Sequence, residues 1–181
     1  MIVQIIKRDG RINDFDILKI EKAIGKKHHS ELFYMPENCI DELHELNYEK
    51  FNSDKIKMLF VGRLDGGKAV IMALEAIKLL GKNAESLQLD FLGGGPLFDY
   101  AFDYVKSNNL EKFVKLHGRV DRKTVFRMMQ DTHILLYPSL KDGNPAAVWE
   151  AMAEAVPILC FDHCGMHDTV KDGSGIKIKH Y

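Results

Sequence analysis

Short apolar runs alternate with amphipathic segments from Lys55 to the end of the chain, and this alternation constrains the fold more than any other feature of the sequence. The run Lys55–Val61 is typical of a strand buried on both faces of a sheet. The segment Lys68–Leu80 has apolar residues at helical spacing and ends at Gly81. The predicted strands are 55–61, 87–92, 114–117, 132–138, 157–161 and 175–179. Strands separated by helices predict βαβ units, and therefore an α/β fold with a Rossmann-like, doubly wound parallel sheet.

The other helices are predicted at 97–107, 122–130, 144–155 and 165–170. In the helix at 144–155, Asn144 suits the N-cap and Pro145 suits the first helical position. Doubly wound sheets bind their ligands beyond the carboxyl ends of the strands. The loops at those ends are 62–67, 93–96, 139–144 and 162–165, and each is rich in Gly, Asp or Ser.

The length of 181 residues suits one globular domain with an appendage. We expect an N-terminal appendage at residues 1–32, a linker at 33–54 and the α/β domain at 55–181. The formal net charge of −1 gives no electrostatic reason to expect nucleic acid or an anionic membrane as a partner. No apolar run approaches the roughly 20 residues of a spanning helix, and residues 1–10 lack the core of a signal peptide. A cytoplasmic location is therefore expected.

Two groups of residues could indicate a metal site. Cys160 and Cys164 lie near His163 and His167, but structural zinc sites usually have paired Cys-x-x-Cys ligands, which this sequence lacks. The favoured interpretation is a buried thiol at a strand end and a thiol in a loop, both reduced. The string Asp14-Phe15-Asp16 fits the Asp-x-Asp pattern of metal-dependent transferases, but it lies outside the α/β region and is interpreted as coincidence. Neither a metal nor a cofactor is expected.

The segment Gly62–Lys68 joins the first strand of the α/β region to its helix. Its glycines let a ligand approach the backbone, the helix N-terminus presents N–H groups, and Arg63 and Lys68 add positive charge. The segment has neither the spacing of a P-loop nor that of a dinucleotide-binding fingerprint. It therefore indicates either an anion site or a tight turn with solvated charges. The run Gly93–Pro96 could likewise admit a base or a phosphate, although glycine-rich turns after strands are common.

A second charged segment lies between Pro138 and Glu150. Asp142 precedes the predicted helix, and Glu150 falls in its second turn, so both can face one crevice while the positive end of the helix points at a ligand. Carboxylates in such places can accept hydrogen bonds from the hydroxyls of a sugar or a ribose. The alternative is a turn residue at Asp142 and an exposed helix carboxylate at Glu150.

Seven features occur in an order that resembles the C-terminal domain of the large family of GT-B glycosyltransferases that contains many retaining enzymes. They are Gly62-Arg63-Leu64…Lys68, Gly93-x-Gly95-Pro96, Val114…His117-Gly118, Pro138-Ser139, Asp142-x7-Glu150-Ala151-Met152-Ala153, Val156-Pro157 and Asp172-Gly173…Gly175. Each alone is weak evidence, but together and in this order they are specific, and the resemblance extends from about Phe33 to Ile178. It implies a single domain equal to one half of a GT-B fold.

The resemblance also implies roles for individual residues. Arg63 and Lys68 would bind the diphosphate of a nucleotide sugar and stabilise it as it departs. Asp142 stands where the family usually has Glu and would contact the donor sugar with a shorter side chain, while Glu150 would hold the ribose hydroxyls. Ala69 replaces the glycine that usually follows the lysine in this family. The residues expected to line the base and phosphate portions of the donor are Gly62, Gly93, Gly95, Pro96, Gly143 and Asn144.

The implied activity is transfer of a sugar from a UDP-, GDP- or ADP-sugar to a hydroxyl acceptor, with retention at the anomeric carbon and without a metal. The acceptor-binding domain and the terminal helix of such enzymes are missing from the recognisable pattern. The α/β domain is therefore expected to be truncated at its C-terminus, and the chain to bind donor without turnover. Any peripheral membrane contact would arise through the missing domain. The alternatives are a non-catalytic nucleotide-binding module and another GT-B relative, such as a nucleotide-sugar epimerase.

Residues 1–32 carry a second and shorter resemblance. The strings Ile5–Arg11, Phe15-Asp16 and Lys19–Ile24 are similar to the opening of the ATP-cone regulatory domain of ribonucleotide reductases. The remainder of such a domain is not recognisable, so ATP binding is not expected. The favoured interpretation is a strand or turn followed by an amphipathic helix, Ile17–Ile24.

Overall fold

The computed structural model describes residues 2–6, 12–16, 54–143, 145–171 and 173–179. Near the N-terminus, β1 (Ile2–Ile6) and β2 (Ile12–Asp16) pair as an antiparallel ribbon. The sequence predicted either a strand or a turn in this segment, and the structure has strands. The helix predicted at Ile17–Ile24, the linker before Asp54, Asn144 and Asp172 lie outside the described residues. The domain boundaries stay predictions.

Six further strands in the described residues form one parallel sheet. They are β3 (Ile56–Val61), β4 (Leu87–Leu92), β5 (Val114–Gly118), β6 (Ile134–Tyr137), β7 (Ile158–Phe161) and β8 (Gly175–Ile178). Their order across the sheet is β5-β4-β3-β6-β7-β8, so the winding reverses between β3 and β6. The predicted Rossmann-like, doubly wound parallel sheet is confirmed. Its topological switch point, where such sheets bind ligands, lies at the carboxyl ends of β3 and β6.

Within the described residues, five α-helices connect these strands. They are α1 (Val70–Leu80), α2 (Phe98–Ser107), α3 (Arg122–Gln130), α4 (Ala146–Ala153) and α5 (Gly165–Thr169). The start predicted for the first helix, Lys68, is wrong. Gly66–Lys68 forms a separate 3₁₀ turn, because Ala69 has a left-handed backbone (φ 52°) that no α-helix can contain.

Both ends of α4 differ from the prediction. Pro145 is its N-cap rather than its first residue, with an extended backbone (φ −82°, ψ 100°) whose carbonyl accepts from the Val148 N–H at 3.0 Å. The helix ends at Ala153 instead of 155, because Ala155 also adopts a left-handed backbone (φ 53°). A left-handed residue just past the last turn is a common way to end a helix.

The sheet has an apolar core on each face. Leu59 and Phe60 are neighbours on β3, and each is 1% exposed although their side chains enter opposite cores. Residues of α1 and α2 fill one core, and residues of α3, α4 and α5 fill the other. This three-layer arrangement explains why the strands read as continuous apolar runs. In the part of the chain that the structure describes, no helix combines the length and the apolar character needed to cross a membrane.

Candidate functional site

The loops after β3 and β4 are joined by backbone hydrogen bonds at the carboxyl edge of the sheet. The Leu64 N–H donates to the Gly94 carbonyl at 3.0 Å, and the Leu97 N–H donates to the Leu64 carbonyl at the same distance. Leu64 is fully buried and anchors the first loop. These contacts place Gly62–Lys68 and Gly93–Pro96 side by side, as expected for loops that follow adjacent parallel strands.

The loops after β6 and β7 continue this surface beyond the switch point. The Leu140 N–H donates to the Gly67 carbonyl at 2.8 Å, and the Gly165 N–H donates to the Asp142 carbonyl at 2.9 Å. The structure thus brings the loop that carries Lys68 against the loop that carries Asp142. The two loops singled out by the sequence form one site across the ends of β3 and β6.

Gly93 and Gly95 have a packing role that the sequence did not indicate. A Cβ added at Gly93 would overlap the carbonyl oxygen of Gly62, and one at Gly95 would lie 2.8 Å from the backbone nitrogen of Leu64. Gly93 and Gly95 therefore pack against the backbone of the neighbouring loop at the place where a side chain would otherwise be. The contacts of Gly62, Gly93, Gly95 and Pro96 with a base or a phosphate stay predictions.

Gly66 and Gly143 differ from these glycines. A Cβ at either residue would have no heavy atom within 4 Å, and both residues are exposed. Gly165, which the sequence analysis did not select, packs against the Gly143 backbone so closely that a Cβ would overlap it. Open backbone at Gly66 and Gly143 is where an anion could approach main-chain N–H groups.

Lys68 and Asp142 form an ion pair at the centre of the site. The Lys68 ammonium donates to Asp142 Oδ2 and, at 2.7 Å, to the hydroxyl of Tyr137. The Tyr137 hydroxyl donates in turn to the same Asp142 oxygen. The side chains of Lys68 and Asp142 are 20% and 19% exposed, so each charge is partly desolvated and still reachable. Both charged residues were predicted from the sequence, and Tyr137 was not, because its only signal is a polar hydroxyl in an apolar strand.

The backbone around Lys68 is fixed by its own turn. Asp65 is the N-cap of the 3₁₀ turn, and its side chain accepts from the Lys68 N–H at 3.1 Å. Ala69, which follows, holds the left-handed conformation that costs an L-residue about 1–2 kcal/mol. Glycine, which the resemblance leads one to expect at this place, would adopt the conformation without that cost.

Arg63 is more exposed than Lys68. Its side chain is 66% exposed, and its Nε is 3.4 Å from Asp65 Oδ2. A surface ion pair of this kind contributes little to stability. The Asp65 carboxylate thus contacts both the Arg63 guanidinium and the Lys68 N–H. The shared role predicted for Arg63 and Lys68 in binding a diphosphate stays a prediction.

Glu150 lies in the second turn of α4, as predicted, and has a partner that was not predicted. Its Oε1 is 3.7 Å from Nη2 of Arg122, the first residue of α3, and its side chain is only 13% exposed. Burial raises the pKa of Glu150, and the Arg122 guanidinium opposes that rise. Glu150 is therefore a mostly buried carboxylate with a positive partner. The alternative interpretation, an exposed helix carboxylate, is wrong.

The candidate metal residues do not converge in the described part of the chain, where no three His, Cys, Asp or Glu side chains are placed to hold an ion. Cys160 is buried, which raises the pKa of its thiol to about 11, and Cys164 is exposed in a loop. These are the two environments predicted for the thiols. His167 Nδ1 instead lies 2.7 Å from Asp162 Oδ1, and whether the site uses a metal stays untested.

Comparison with known proteins decides the family. Residues 41–181 match the family described as glycosyl transferases group 1. The chain belongs to this family. Relatives include the amylovoran biosynthesis glycosyltransferase AmsK of Erwinia amylovora, 28% identical over 136 residues, which are 68% of this chain and 33% of AmsK. The poly(glycerol-phosphate) alpha-glucosyltransferase of Bacillus subtilis is 24% identical over 96% of this chain and 24% of its own length.

Solved structures agree on the fold. The pneumococcal O-GlcNAc transferase GtfA, in complex with UDP and GlcNAc, superposes with a TM-score of 0.71 at 19% identity, over 92% of this chain and 32% of GtfA. A mutant of TarM from Staphylococcus aureus, in complex with UDP among other ligands, gives 0.70 at 18% identity, over 92% of this chain and 33% of TarM. The fold is therefore that of a GT-B glycosyltransferase half. The chain spans about a third of the length of AmsK.

Proposed function

We propose that this chain binds a nucleotide-diphosphate sugar and forms the donor half of a retaining glycosyltransferase that transfers a sugar to a hydroxyl acceptor. The observation that carries the proposal is the pairing of Lys68 with Asp142 at the switch point of the sheet. An ammonium next to open backbone suits a diphosphate, and a carboxylate beside it suits the hydroxyls of the attached sugar. The membership of the glycosyl transferases group 1 family gives this pairing its chemical context.

Lys68 is suited to the departing diphosphate. An ammonium has three N–H donors, and the described contacts of Lys68 use two of them, on Tyr137 and Asp142. The third can donate to a phosphate oxygen. When the glycosidic bond of the donor breaks, negative charge develops on that oxygen, and a fixed cation in a partly desolvated site stabilises it.

The carboxylates are assigned to the two ends of the donor. Asp142 accepts a hydrogen bond from a hydroxyl of the transferred sugar, and Glu150 accepts from the hydroxyls of the ribose. The acceptor hydroxyl attacks the anomeric carbon on the face from which the diphosphate leaves, so the configuration is retained. The bond from that carbon to the phosphate oxygen breaks, and the hydroxyl proton passes to that oxygen. In this proposal Lys68, not a metal ion, neutralises the leaving group.

The proposal is tested by titration calorimetry of the purified chain. The ligands are UDP, GDP and ADP, and their glucose and N-acetylglucosamine conjugates. We expect one base to be preferred and Lys68→Ala to weaken its diphosphate about thirtyfold, since a charge-assisted hydrogen bond contributes about 1.5–3 kcal/mol. Lys78→Ala is the matched control, because Lys78 is exposed on α1. Equal affinity in the Lys68→Ala and Lys78→Ala variants would contradict the assignment.

The acceptor is proposed to bind to protein outside this chain, which spans about a third of AmsK. The purified chain is then expected to bind donor and to show no transfer beyond slow donor hydrolysis. Incubation with the preferred donor and a panel of hydroxyl acceptors, followed by mass spectrometry, measures this. A glycosylated product above the hydrolysis background would show that the chain is active by itself. Donor binding without transfer even when the acceptor half is supplied would favour a non-catalytic nucleotide-binding module.

A further inference from the structure

Tyr137 is a buried phenol at the place where the two halves of the sheet meet. It is the last residue of β6, which pairs with β3 on one side and β7 on the other. Only 3% of the residue is exposed, and its ring belongs to the apolar core under α3 and α4. The ring is therefore held by packing, and its hydroxyl is the part that reaches the site.

The hydroxyl uses both of its hydrogen-bonding functions on charged groups of the site. It donates its proton to Asp142 Oδ2 and accepts from the Lys68 ammonium at 2.7 Å. A phenol has one proton to give, so the direction of this chain of hydrogen bonds is set by the two charges.

Tyr137 is not suited to act as a base during the reaction. Burial and the adjacent Asp142 carboxylate both raise the pKa of Tyr137 above its ordinary value. Its hydroxyl therefore stays neutral at ordinary pH. A group that stays neutral can orient its neighbours but cannot act as a general base.

We propose that Tyr137 is a positioning residue that holds Lys68 and Asp142 in their binding arrangement before the donor arrives. The inference rests on the proposed function, because it assigns Lys68 to the diphosphate and Asp142 to the sugar. A lysine side chain loses much rotamer freedom when it binds an anion, and the contacts with Tyr137 remove that freedom beforehand. Tyr137 also keeps Asp142, with its short side chain, next to Lys68.

The first test is titration of the 181-residue chain with UDP, GDP and ADP after Tyr137→Phe. The substitution keeps the buried ring and removes one hydroxyl. We expect the preferred diphosphate to bind about tenfold more weakly, a loss in the range of a hydrogen bond to a charged group. Tyr100→Phe, the same change at an exposed residue of α2, is the matched control and should bind as the unmutated chain does. Unchanged affinity of Tyr137→Phe would overturn the proposal.

A double-mutant cycle separates positioning from a general loss of structure. In the Lys68→Ala background, Tyr137→Phe should weaken diphosphate binding less than about twofold, because the ammonium that Tyr137 positions is no longer present. A purely structural role predicts the same tenfold loss in both backgrounds, and that result would overturn the proposal.

A third measurement needs neither ligand nor variant. In the chain labelled with ¹³C-tyrosine, the hydroxyl proton of Tyr137 should exchange slowly enough with water to be seen by NMR, whereas that of Tyr100 should not. Exchange as fast at Tyr137 as at Tyr100 would overturn the positioning role, even if Tyr137→Phe failed to fold. If no nucleotide binds the unmutated chain, the proposed function is contradicted instead. Slow exchange of the Tyr137 hydroxyl proton would then still support the role of Tyr137 in holding Lys68 and Asp142 together.

Discussion

The glycines at the carboxyl edge of the sheet look alike in the sequence, but those on either side of the site differ in what they face. After β4, Gly93 and Gly95 face the backbone of the loop 62–64, and a side chain on either would collide with it. Around the Lys68–Asp142 pair, Gly66 and Gly143 face open space. The first pair lets two loops pack, and the second leaves backbone that a ligand can approach. A glycine-rich loop therefore indicates a ligand site only when no other part of the protein packs against the glycine backbone.

Replacement of Gly95 by alanine should have the largest effect. The new methyl group would overlap the Leu64 carbonyl oxygen, so the loops must separate, and we expect the free energy of unfolding to fall by about 3 kcal/mol. Urea denaturation followed by circular dichroism measures this. Gly66→Ala is the matched control, with an expected change within about 0.5 kcal/mol because its Cβ meets nothing within 4 Å. Equal stability of the two variants would remove the distinction between the two sets of glycines.

Gly143→Ala should have the opposite pattern, with little change in stability and weaker ligand binding. The methyl group would enter open space beside Asp142, and we expect the affinity for the preferred nucleoside diphosphate to fall about tenfold, or about 1.4 kcal/mol. Calorimetry and urea denaturation on the same samples separate the two effects. A variant that loses stability but binds normally would mean that Gly143 belongs with the packed glycines.

Ala155 is a place where the backbone suits glycine and the chain lacks one. Its left-handed conformation follows α4, the helix that carries Glu150, and we expect Ala155→Gly to raise the free energy of unfolding by about 1 kcal/mol. Ala76→Gly, at an exposed position inside α1, should lower it by about 1 kcal/mol. A destabilising effect of Ala155→Gly would show that contacts of the Ala155 methyl group outweigh the backbone strain.

The smallest effect is expected at the Arg122–Glu150 pair. Burial raises the pKa of Glu150 and Arg122 lowers it, so Arg122→Gln should raise it further. If ionised Glu150 binds the ribose, donor affinity rises as pH passes that pKa, and in the variant this rise should move to higher pH. Arg127→Gln, at an exposed residue of the same helix, should leave the profile unchanged. A shift to lower pH would contradict the sign of this argument.

The same raised pKa has a consequence for stability. Between the ordinary pKa of Glu150 and its raised value, the folded chain binds more protons than the unfolded chain. The contribution of Glu150 to the free energy of unfolding therefore falls as pH rises through that window. Glu150→Gln should flatten this part of the pH dependence, which urea denaturation between about pH 4 and pH 7 would detect.

The sheet was predictable because its signals are local. Each buried strand is an apolar run, and each loop at its carboxyl end contains residues that cannot continue a strand, so the element order and the meeting of the loops follow from spacing alone. The ends of α4 were less predictable. Asn144 and Pro145 suggested a helix start one residue too early, and Ala155 gives no sign in the sequence of its left-handed backbone.

The charged residues of the site were predictable from the sequence, but the side-chain hydrogen bonds between its residues were not. Lys68 and Asp142 stand out because charged side chains follow strands at the edge where ligands bind. Tyr137 does not, because its contact with Lys68 joins positions 69 residues apart and no spacing rule encodes it. The packing role of Gly93 and Gly95 was missed for a different reason. Close approach of a ligand and close approach of a neighbouring loop both require glycine, and the sequence alone does not distinguish them.

A crystal structure of the chain with its preferred nucleoside diphosphate bound would show directly whether Lys68 binds the diphosphate. We expect a phosphate oxygen within hydrogen-bond distance of Lys68 Nζ and next to the open backbone at Gly143. In that structure Tyr137 should still contact both Lys68 and Asp142. A diphosphate bound elsewhere, for instance on the exposed Arg63, with the Lys68–Asp142 pair closed and unoccupied, would contradict this expectation.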